Sequence, residues 1–301
     1  MESEANRYLI YGLRLESQFD LPELAASEED APADITIRRG SLEPVSKPES
    51  GSEKRRIESE PARCRLTYDS IGTFLVENGD TLVCDPDGEE MIDKKIFRRI
   101  VENQILAVAL LQRGLLVLHG SAVVVNGRAA IFIGPRTAGK STTAAAFYEE
   151  GYPVLGDDVI AIDFDGEFPK VVPGVPQIRL SPDAIDGLEI KETTRPVGDW
   201  GPDKRYRDVE HVDAGVPLGS VYVLRDGDRF ECVEFEGQTP FFQLTAHTYA
   251  QGLLSESEMT ATHFEQCATV LETAPVRLLR RIRNLDALPE LVALVEADMT
   301  E

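Results

Sequence analysis

The run of residues 134–142 constrains the fold of this chain more than any other feature. Its sequence, Gly-Pro-Arg-Thr-Ala-Gly-Lys-Ser-Thr, fits the pattern G-x-x-x-x-G-K-[ST], in which glycines let backbone N–H groups turn towards phosphate oxygens. The pattern needs a strand before it and a helix after it. The apolar run 129–133 predicts a buried strand, and residues 140–150, closed by Gly151, predict the helix. The alternative is an ordinary glycine-rich turn before a helix.

The pattern also assigns residues to the phosphates of a nucleotide. Lys140 can reach the β- and γ-phosphates, the Ser141 hydroxyl can bind Mg²⁺, and the helix N-terminus adds positive partial charge. ATP and Mg²⁺ are therefore the expected cofactors, with another nucleotide or pyrophosphate left open as donor. The predicted nucleotide-binding residues are Gly134, Pro135, Arg136, Thr137, Ala138, Gly139, Lys140, Ser141 and Thr142.

The charge of the chain excludes some partners. Its 53 acidic and 31 basic residues give a formal net charge of -22, and only 8 of the basic residues are lysine. Such a composition is typical of a halophilic protein that stays soluble in concentrated salt, with an ordinary acidic cytosolic protein as the alternative. Without a basic face, a signal peptide or a run long enough to cross a bilayer, we expect a cytoplasmic protein with no nucleic-acid or membrane partner.

Two domains are predicted, with the boundary at residue 95. Residues 1–95 contain short apolar runs and tight turns, typical of a small β-rich domain, in which residues 8–15 predict one strand and residues 41–62 a loop. The second domain, 96–301, begins with a helix predicted over 96–112. The fold class is therefore α/β. From residue 241 the pattern is helical almost to the end, which predicts a helical C-terminal segment.

Several polar residues near the glycine-rich run are candidates for chemistry. Asp157 and Asp158 begin 17 residues after Lys140, inside an apolar stretch that predicts a strand over 154–163. Buried carboxylates are costly without a partner such as Mg²⁺ or a reacting hydroxyl, although a turn with solvated acids is the alternative. Neighbours in a strand point to opposite faces, so the two acids should differ in role. His119, at the end of an apolar run, would by itself more often be structural than catalytic.

Together these motifs resemble the HPr kinase/phosphorylase family, and more closely the HPr-kinase-like serine kinases of bacteria and archaea. The resemblance implies an α/β fold with a P-loop kinase core of the type shared with phosphoenolpyruvate carboxykinase. The stretches that carry it are Leu118-His119-Gly120-Ser-Ala-Val, residues 134–142, Gly151-Tyr152, Gly156-Asp157-Asp158, Pro173-Gly174-Val-Pro176-Gln-Ile-Arg179-Leu, and the opening pattern Tyr11-Gly12-Leu13 followed by Leu21-Pro22-Glu23-Leu24.

The resemblance implies a role for each site residue. Asp157 would be the general base, and Asp158 would join Ser141 on the metal side, although their order could be swapped. His119 would lie beside the transferred phosphoryl group. Arg179 would clamp phosphate, the alternative being a surface arginine beside a proline-rich turn. The basic cluster 204–207 would either line the mouth of the site or offset nearby acids. The predicted catalytic residues are thus Asp157, Asp158, His119, Lys140 and Arg179.

The expected function is that of an ATP-dependent kinase. It would transfer the γ-phosphoryl group to a hydroxyl, with serine in a protein, in a peptide or as the free amino acid as acceptor. The alternatives are a nucleotide-binding sensor without efficient transfer and a phosphatase or phosphorylase. HPr itself is not expected as substrate, because the chain lacks the substrate loop and the Glu-Ile-Arg-Gly signature of true HPr kinases; residues 189–191 echo the signature only faintly. The resemblance is also compatible with a homo-oligomer.

Overall fold

The protein is a mixed α/β protein with two large mixed sheets, each in its own compact unit. The computed structural model describes residues 5–28, 31–47, 54–60, 62–191, 195–196, 204–249 and 257–300. The first unit takes the described residues within 1–115 and 250–262. The second unit takes those within 116–249 and 263–301.

The first unit is built on an eight-stranded sheet. Its strands are β1 (Asn6–Ile10), β2 (Leu13–Ser17), β3 (Ala25–Ala26), β4 (Ile35–Arg39), β5 (Arg55–Glu60), β6 (Arg63–Tyr68), β7 (Gly72–Glu77) and β8 (Thr81–Pro86). They lie in the order β3-β1-β2-β4-β8-β7-β6-β5. Strand β4 is parallel to both β2 and β8, and the other pairs are antiparallel.

Two sequence predictions in this unit are corrected. Residues 8–15 form a hairpin instead of one strand, because Tyr11 and Gly12 adopt positive φ of 54° and 71° and reverse the chain between β1 and β2. Within 41–62, predicted as a loop, residues 55–60 form β5, while 48–53 and 61 lie outside the described residues. The β5 strand is polar because it occupies the sheet edge, where charged side chains protect against edge pairing.

The helix predicted over 96–112 is confirmed, and it belongs to the first unit. It consists of α1 (Lys95–Arg99), a π-helical turn (Ile100–Ile105) and α2 (Leu106–Gln112), and it follows a 3₁₀ turn (Glu89–Met91). The Phe97 ring lies 5.4 Å from the rings of both Phe19 and Phe74. Because the helix packs into this core, the units divide at Leu115, whereas the sequence predicted a boundary at residue 95.

The second unit contains twelve described strands. They are β9 (Leu116–Leu118), β10 (Gly120–Val125), β11 (Arg128–Ile133), β12 (Val154–Asp157), β13 (Ile160–Asp163), β14 (Lys170–Val172), β15 (Gln177–Leu180), β16 (Arg195–Pro196), β17 (Arg205–Asp208), β18 (Val216–Asp226), β19 (Glu231–Glu234) and β20 (Val276–Arg281). The main sheet has the order β12-β10-β11-β18-β14-β13-β9, with β20 beside β18 and β19 beside β20. Strands β15, β17 and β16 form a separate small sheet.

The long strand β18 organises the main sheet of this unit. It runs parallel to β11 along one edge. Along its other edge, its first residues pair antiparallel with β14 and its later residues pair parallel with β20. The β10–β11 hairpin predicted from Asn126-Gly127 is confirmed, with φ of 51° and 75° at the turn. The prediction of helix almost to the end after residue 241 was wrong, because residues 276–281 form β20 between β18 and β19. Hydrogen bonding to these two strands outweighs the helical pattern of the local sequence.

Helices cover the sheet of the second unit. They are α3 (Lys140–Glu149), α4 (Pro182–Gly187), α5 (Thr239–Ala246), α6 (Ser257–Thr273), of which residues 263–273 belong to this unit, a 3₁₀ turn (Leu285–Ala287) and α7 (Leu288–Asp298). Phe132 of β11 lies 5.4 Å from the Phe147 ring of α3 and 5.8 Å from the Tyr222 ring of β18, so α3 is anchored on the two central strands. Over the described part of the chain, no helix combines the length and apolar character that a membrane crossing requires.

A buried carboxylate in the first unit predicts a pH-dependent stability. Arg98 binds both carboxylate oxygens of Glu23 at 3.0 Å, and Glu102, in the π-helical turn, is buried beside them with its Oε1 unpartnered. Burial, and secondarily the charge of Glu23, raise the pKa of Glu102 well above its ordinary value. The folded state therefore keeps this proton at pH values where the unfolded chain has lost it.

We expect Glu102→Gln to remove this pH dependence. Above the unfolded glutamate pKa of about 4.3, wild-type stability should fall by about 1.4 kcal/mol per pH unit relative to the variant, until Glu102 ionises in the folded state. Chemical denaturation of both proteins over this pH range measures the difference. The exposed Glu90→Gln serves as control. A constant difference between wild type and Glu102→Gln at every pH would contradict the shift.

Candidate functional site

The glycine-rich run forms the predicted loop between β11 and α3. Three of its residues have positive φ: Gly134 at 153°, Thr137 at 67° and Gly139 at 87°. The Lys140 ammonium, buried at the start of α3, donates to the carbonyl oxygens of Gly134 and Pro135 at 3.0 and 3.3 Å. Pro135, Arg136 and Thr137 are exposed, so the outer face of the loop is open to a ligand. The strand–loop–helix arrangement is confirmed, and phosphate binding stays a prediction.

A buried arginine supports this loop, and the sequence did not indicate it. Arg281, the last residue of β20, donates from Nε to the Ala138 carbonyl oxygen at 2.9 Å. Its guanidinium also fills the space beside Gly139, where an added Cβ would lie 2.4 Å from Nη2. Burial lowers the pKa of Arg281, and Asp226 at 3.9 Å opposes this. The sequence could not indicate the contact of Arg281 with the loop, because Arg281 lies in no motif and its strand was predicted as helix.

Asp157 is the centre of the polar groups in this site. One carboxylate oxygen accepts hydrogen bonds from the hydroxyls of Ser121 and Ser141, each at 2.9 Å, and the other accepts from the Arg179 backbone N–H at 2.9 Å. The side chain is buried, with 8% of the residue exposed. Burial, and then the charge of Asp158, raise the pKa of Asp157 to about 6, while the three donors act in the opposite direction.

Asp158 stands at a turn of the chain. Its φ of 69° ends β12 and redirects the backbone into β13, so the predicted single strand over 154–163 is two strands. Its carboxylate is more exposed than that of Asp157 and accepts from Arg179 Nη1 at 3.2 Å. The Arg179 side chain is only 13% exposed, and its Nε has no hydrogen-bond partner within the described ranges. The alternative of a surface arginine therefore does not hold.

His119 lies against Asp158, and a second histidine lies beside it. His119 Nδ1 donates to the Asp158 backbone oxygen at 3.0 Å, which leaves Nε2 as the acceptor nitrogen of the neutral ring. Burial, and then Lys140, lower the pKa of His119. The His119 backbone N–H donates to the His247 oxygen at 2.8 Å. Burial, Lys140, Arg225 and His119 together lower the pKa of His247 to about 4, so its ring is neutral at pH 7.

The basic cluster 204–207 divides into two kinds of residue. Arg207 of β17 forms an ion pair with Glu149 of α3, and its guanidinium lies 4.8 Å from the centre of the Tyr148 ring. Lys204 is half-buried, and burial and the charge of Arg179 lower its pKa while Asp157 and Asp158 oppose this. The charges of the site residues therefore act on Lys204, whereas Arg207 offsets an acid on α3.

The residues present suit a magnesium ion bound together with phosphate. Within the described ranges, no group of three or more His, Cys, Asp or Glu side chains could hold a metal by itself. Mg²⁺, however, is usually held by one or two carboxylates together with substrate phosphates and water. Ser141 Oγ and Asp157 Oδ1 lie 2.9 Å apart at the start of α3, directly after the glycine-rich loop. These two oxygens match that requirement.

All five predicted catalytic residues lie in the second unit. Asp157, Asp158 and Arg179 are joined by hydrogen bonds, His119 is bonded to Asp158, and the charge of Lys140 acts on His119. Ser121 lies within a quoted motif, but nothing in that motif indicated its bond to Asp157. His247, Arg225 and Arg281 were missed, since none of them lies in a motif that indicates a function.

Comparison with known proteins adds little beyond the fold. No protein-family model and no curated protein matches this chain. Among solved structures, the chain is similar to the structure of the Hpr(Ser) kinase/phosphatase from Coxiella burnetii, with 14% sequence identity and a TM-score of 0.32. The similarity covers 62% of this chain and 99% of the other. It is a weak resemblance at the level of the fold.

The contact between Gly139 and Arg281 predicts a destabilising substitution. We expect Gly139→Ala to lower the free energy of unfolding by more than the roughly 1–2 kcal/mol that a left-handed backbone costs a non-glycine residue. The reason is that its Cβ would also displace the buried Arg281 guanidinium. Chemical denaturation measures the loss.

The chain offers a matched control at the other end of α3. Gly151 has nearly the same φ, 89°, but no atom lies within 4 Å of an added Cβ. Gly151→Ala should therefore show the backbone cost alone. Equal losses in the two variants would mean that Arg281 gives way without cost and does not brace the loop.

Proposed function

We propose that the protein is an ATP-dependent kinase whose second unit is a P-loop kinase core. The observation that carries the proposal is the hydrogen bond between Ser141 and Asp157 at the start of α3. A phosphate-bound Mg²⁺ at this place would take one oxygen ligand from each of these two side chains, and its other ligands from phosphate and water. The glycine-rich loop, Lys140 and the α3 N-terminus lie at the same place and suit the phosphates.

Phosphate binding would use groups whose present partners are weak or absent. Among the described residues, Lys140 Nζ donates to two loop carbonyls, which a phosphate oxygen can replace at a gain in charge–charge energy. Arg179 has a buried Nε to which no described residue bonds, a donor that an anion would satisfy. When bound at Ser141 and Asp157, Mg²⁺ would neutralise charge that develops on the phosphoryl oxygens.

We propose Asp158 as the general base and Asp157 as the metal-side carboxylate, the reverse of the order first expected. Asp157 is buried and already accepts three hydrogen bonds, one of them from Ser141. Its raised pKa would suit a base, but a base must also reach the acceptor hydroxyl. The Asp158 side chain is 25% exposed and, in the part of the chain that the structure describes, is bonded to the Arg179 side chain, so an acceptor can approach it.

The acceptor proposed is a serine hydroxyl, in a protein, a peptide or the free amino acid. This part of the proposal rests on the motifs that resemble HPr-kinase-like serine kinases. The chemistry of the site requires only a hydroxyl near Asp158. Positioning and charge stabilisation, the main requirements of phosphoryl transfer, are supported by the groups already described.

The kinase proposal predicts label transfer that depends on Lys140. We expect γ-labelled ATP with Mg²⁺ in concentrated KCl to label free serine or one discrete protein of a cell extract. Lys140→Ala should weaken nucleotide binding by about tenfold or more, because it removes a charge-assisted contact to phosphate, and should abolish the label.

Lys170→Ala is the control, since Lys170 is exposed on β14 of the same unit. It should bind and transfer like the wild type. ATP binding without any transferred label, for serine, peptide and extract alike, would favour a nucleotide sensor over a kinase. Release of phosphate from a phosphoserine protein without demand for ATP would favour a phosphatase.

Substitutions of the two aspartates should have different effects on transfer and on nucleotide binding. We expect Asp158→Asn to lower the transfer rate by about 100-fold or more with nucleotide affinity unchanged, because a positioned base is lost. Asp157→Asn should weaken the Mg²⁺ dependence of nucleotide binding, because a metal ligand is lost. Titration calorimetry with and without Mg²⁺, together with transfer rates, measures both.

Asp165→Asn, at an exposed position after β13, serves as the matched control. The proposed order is wrong if Asp157→Asn keeps the full Mg²⁺ dependence of binding and loses only the transfer rate.

A further inference from the structure

A short bridge brings a second histidine into the site. After α5, the segment 247–249 runs antiparallel to β9: the Tyr249 N–H donates to the Val117 oxygen, and the His119 N–H donates to the His247 oxygen, both at 2.8 Å. The Tyr249 ring lies 6.2 Å from the His119 ring. This pairing fixes His247 directly beside His119, although the two are far apart in the sequence.

The ring of His247 carries a buried nitrogen without a hydrogen-bond partner. Its Nε2 is shielded from solvent and no described group bonds to it. A buried polar atom left unpaired costs free energy, and such a group in a native structure calls for an explanation, such as a ligand that is absent. In the neutral ring, the tautomer with its proton on Nε2 would present a donor at this place.

The surroundings of His247 suit an anion. Among the described residues, the charged or titratable groups that act on its ring are Lys140, Arg225 and His119, and none is acidic. Lys140 is the residue that the motif assigns to the β- and γ-phosphates. The Leu224 backbone oxygen packs against Gly134 of the loop, 3.1 Å from the position that a Cβ on this glycine would take. Arg225 is the next residue after Leu224. Lys140 donates to two carbonyl oxygens of the loop, and Arg225 lies on β18, which pairs with the strand that leads into the loop.

We infer that His247 donates a hydrogen bond from Nε2 to an oxygen of the γ-phosphoryl group, so that the site distinguishes a nucleoside triphosphate from a diphosphate. The inference rests on the proposed function, since it needs a nucleotide on the loop. It adds a residue that touches the transferred group and that no motif of the chain contains. It also gives the segment 247–249 a role in holding that residue.

Equilibrium binding tests the inference without turnover. A non-hydrolysable ATP analogue and ADP, each with Mg²⁺, are titrated into wild type, His247→Ala and His247→Gln. We expect His247→Ala to weaken the triphosphate about tenfold, as the loss of a hydrogen bond to a charged group does, and to leave ADP unchanged. His247→Gln, which keeps an N–H donor, should recover part of the triphosphate affinity. Unchanged ADP binding also shows that the variants are folded.

His211→Ala is the matched control, because His211 is a half-buried histidine of the same unit with an unpartnered ring nitrogen. It should bind both nucleotides like the wild type. Equal weakening of both nucleotides in His247→Ala, or no change in either, overturns the inference and leaves the kinase proposal standing. A wild-type protein that binds neither nucleotide overturns the proposed function and this inference together.

Discussion

The second unit depends on the buried carboxylate of Asp157. A buried charge is tolerated only when donors satisfy it, and the three donors to Asp157 come from three other elements: Ser121 on β10, Ser141 on α3 and the backbone of Arg179 on β15. The same group therefore holds the helix, the main sheet and the small sheet in register around the glycine-rich loop. Burial raises the pKa of Asp157 to about 6, so the carboxylate accepts these hydrogen bonds in its charged form above that pH.

Around this carboxylate the chain gathers cations, against its overall charge. The molecule carries a formal net charge of -22, yet Lys140 and Arg281 donate to carbonyl oxygens of the loop, Arg179 donates to both aspartates, and the charges of these aspartates act on Lys204. Burial lowers the pKa of the two lysines, which means that the folded chain holds them at some cost. An anionic ligand would reduce that cost, and the unpartnered nitrogens of Arg179 and His247 point to the same conclusion.

Local signals predicted the elements that carry strong, short-range patterns. The Asn126-Gly127 turn, the helix after the glycine-rich run and the helix over 96–112 all follow from residues close together in sequence. Prediction was wrong where a long-range contact decided the outcome. Strand β20 was predicted as helix because its strand character comes from pairing with β18 and β19. The strand predicted over 154–163, interrupted by two acids, turns at Asp158, and the alternative of a turn at these acids matches its positive φ.

By itself the sequence determined which residue types were available for chemistry: a glycine-rich run with Lys140 and Ser141, a pair of adjacent acids and a histidine before them. Those motifs are contiguous, and their spacing follows from the covalent chain. Only the tertiary structure decided that Ser141 contacts Asp157 and not Asp158, that Arg281 braces the loop, and that His247 lies beside His119. These are contacts between distant segments, created by sheet pairing and burial, and a one-dimensional pattern contains no record of them.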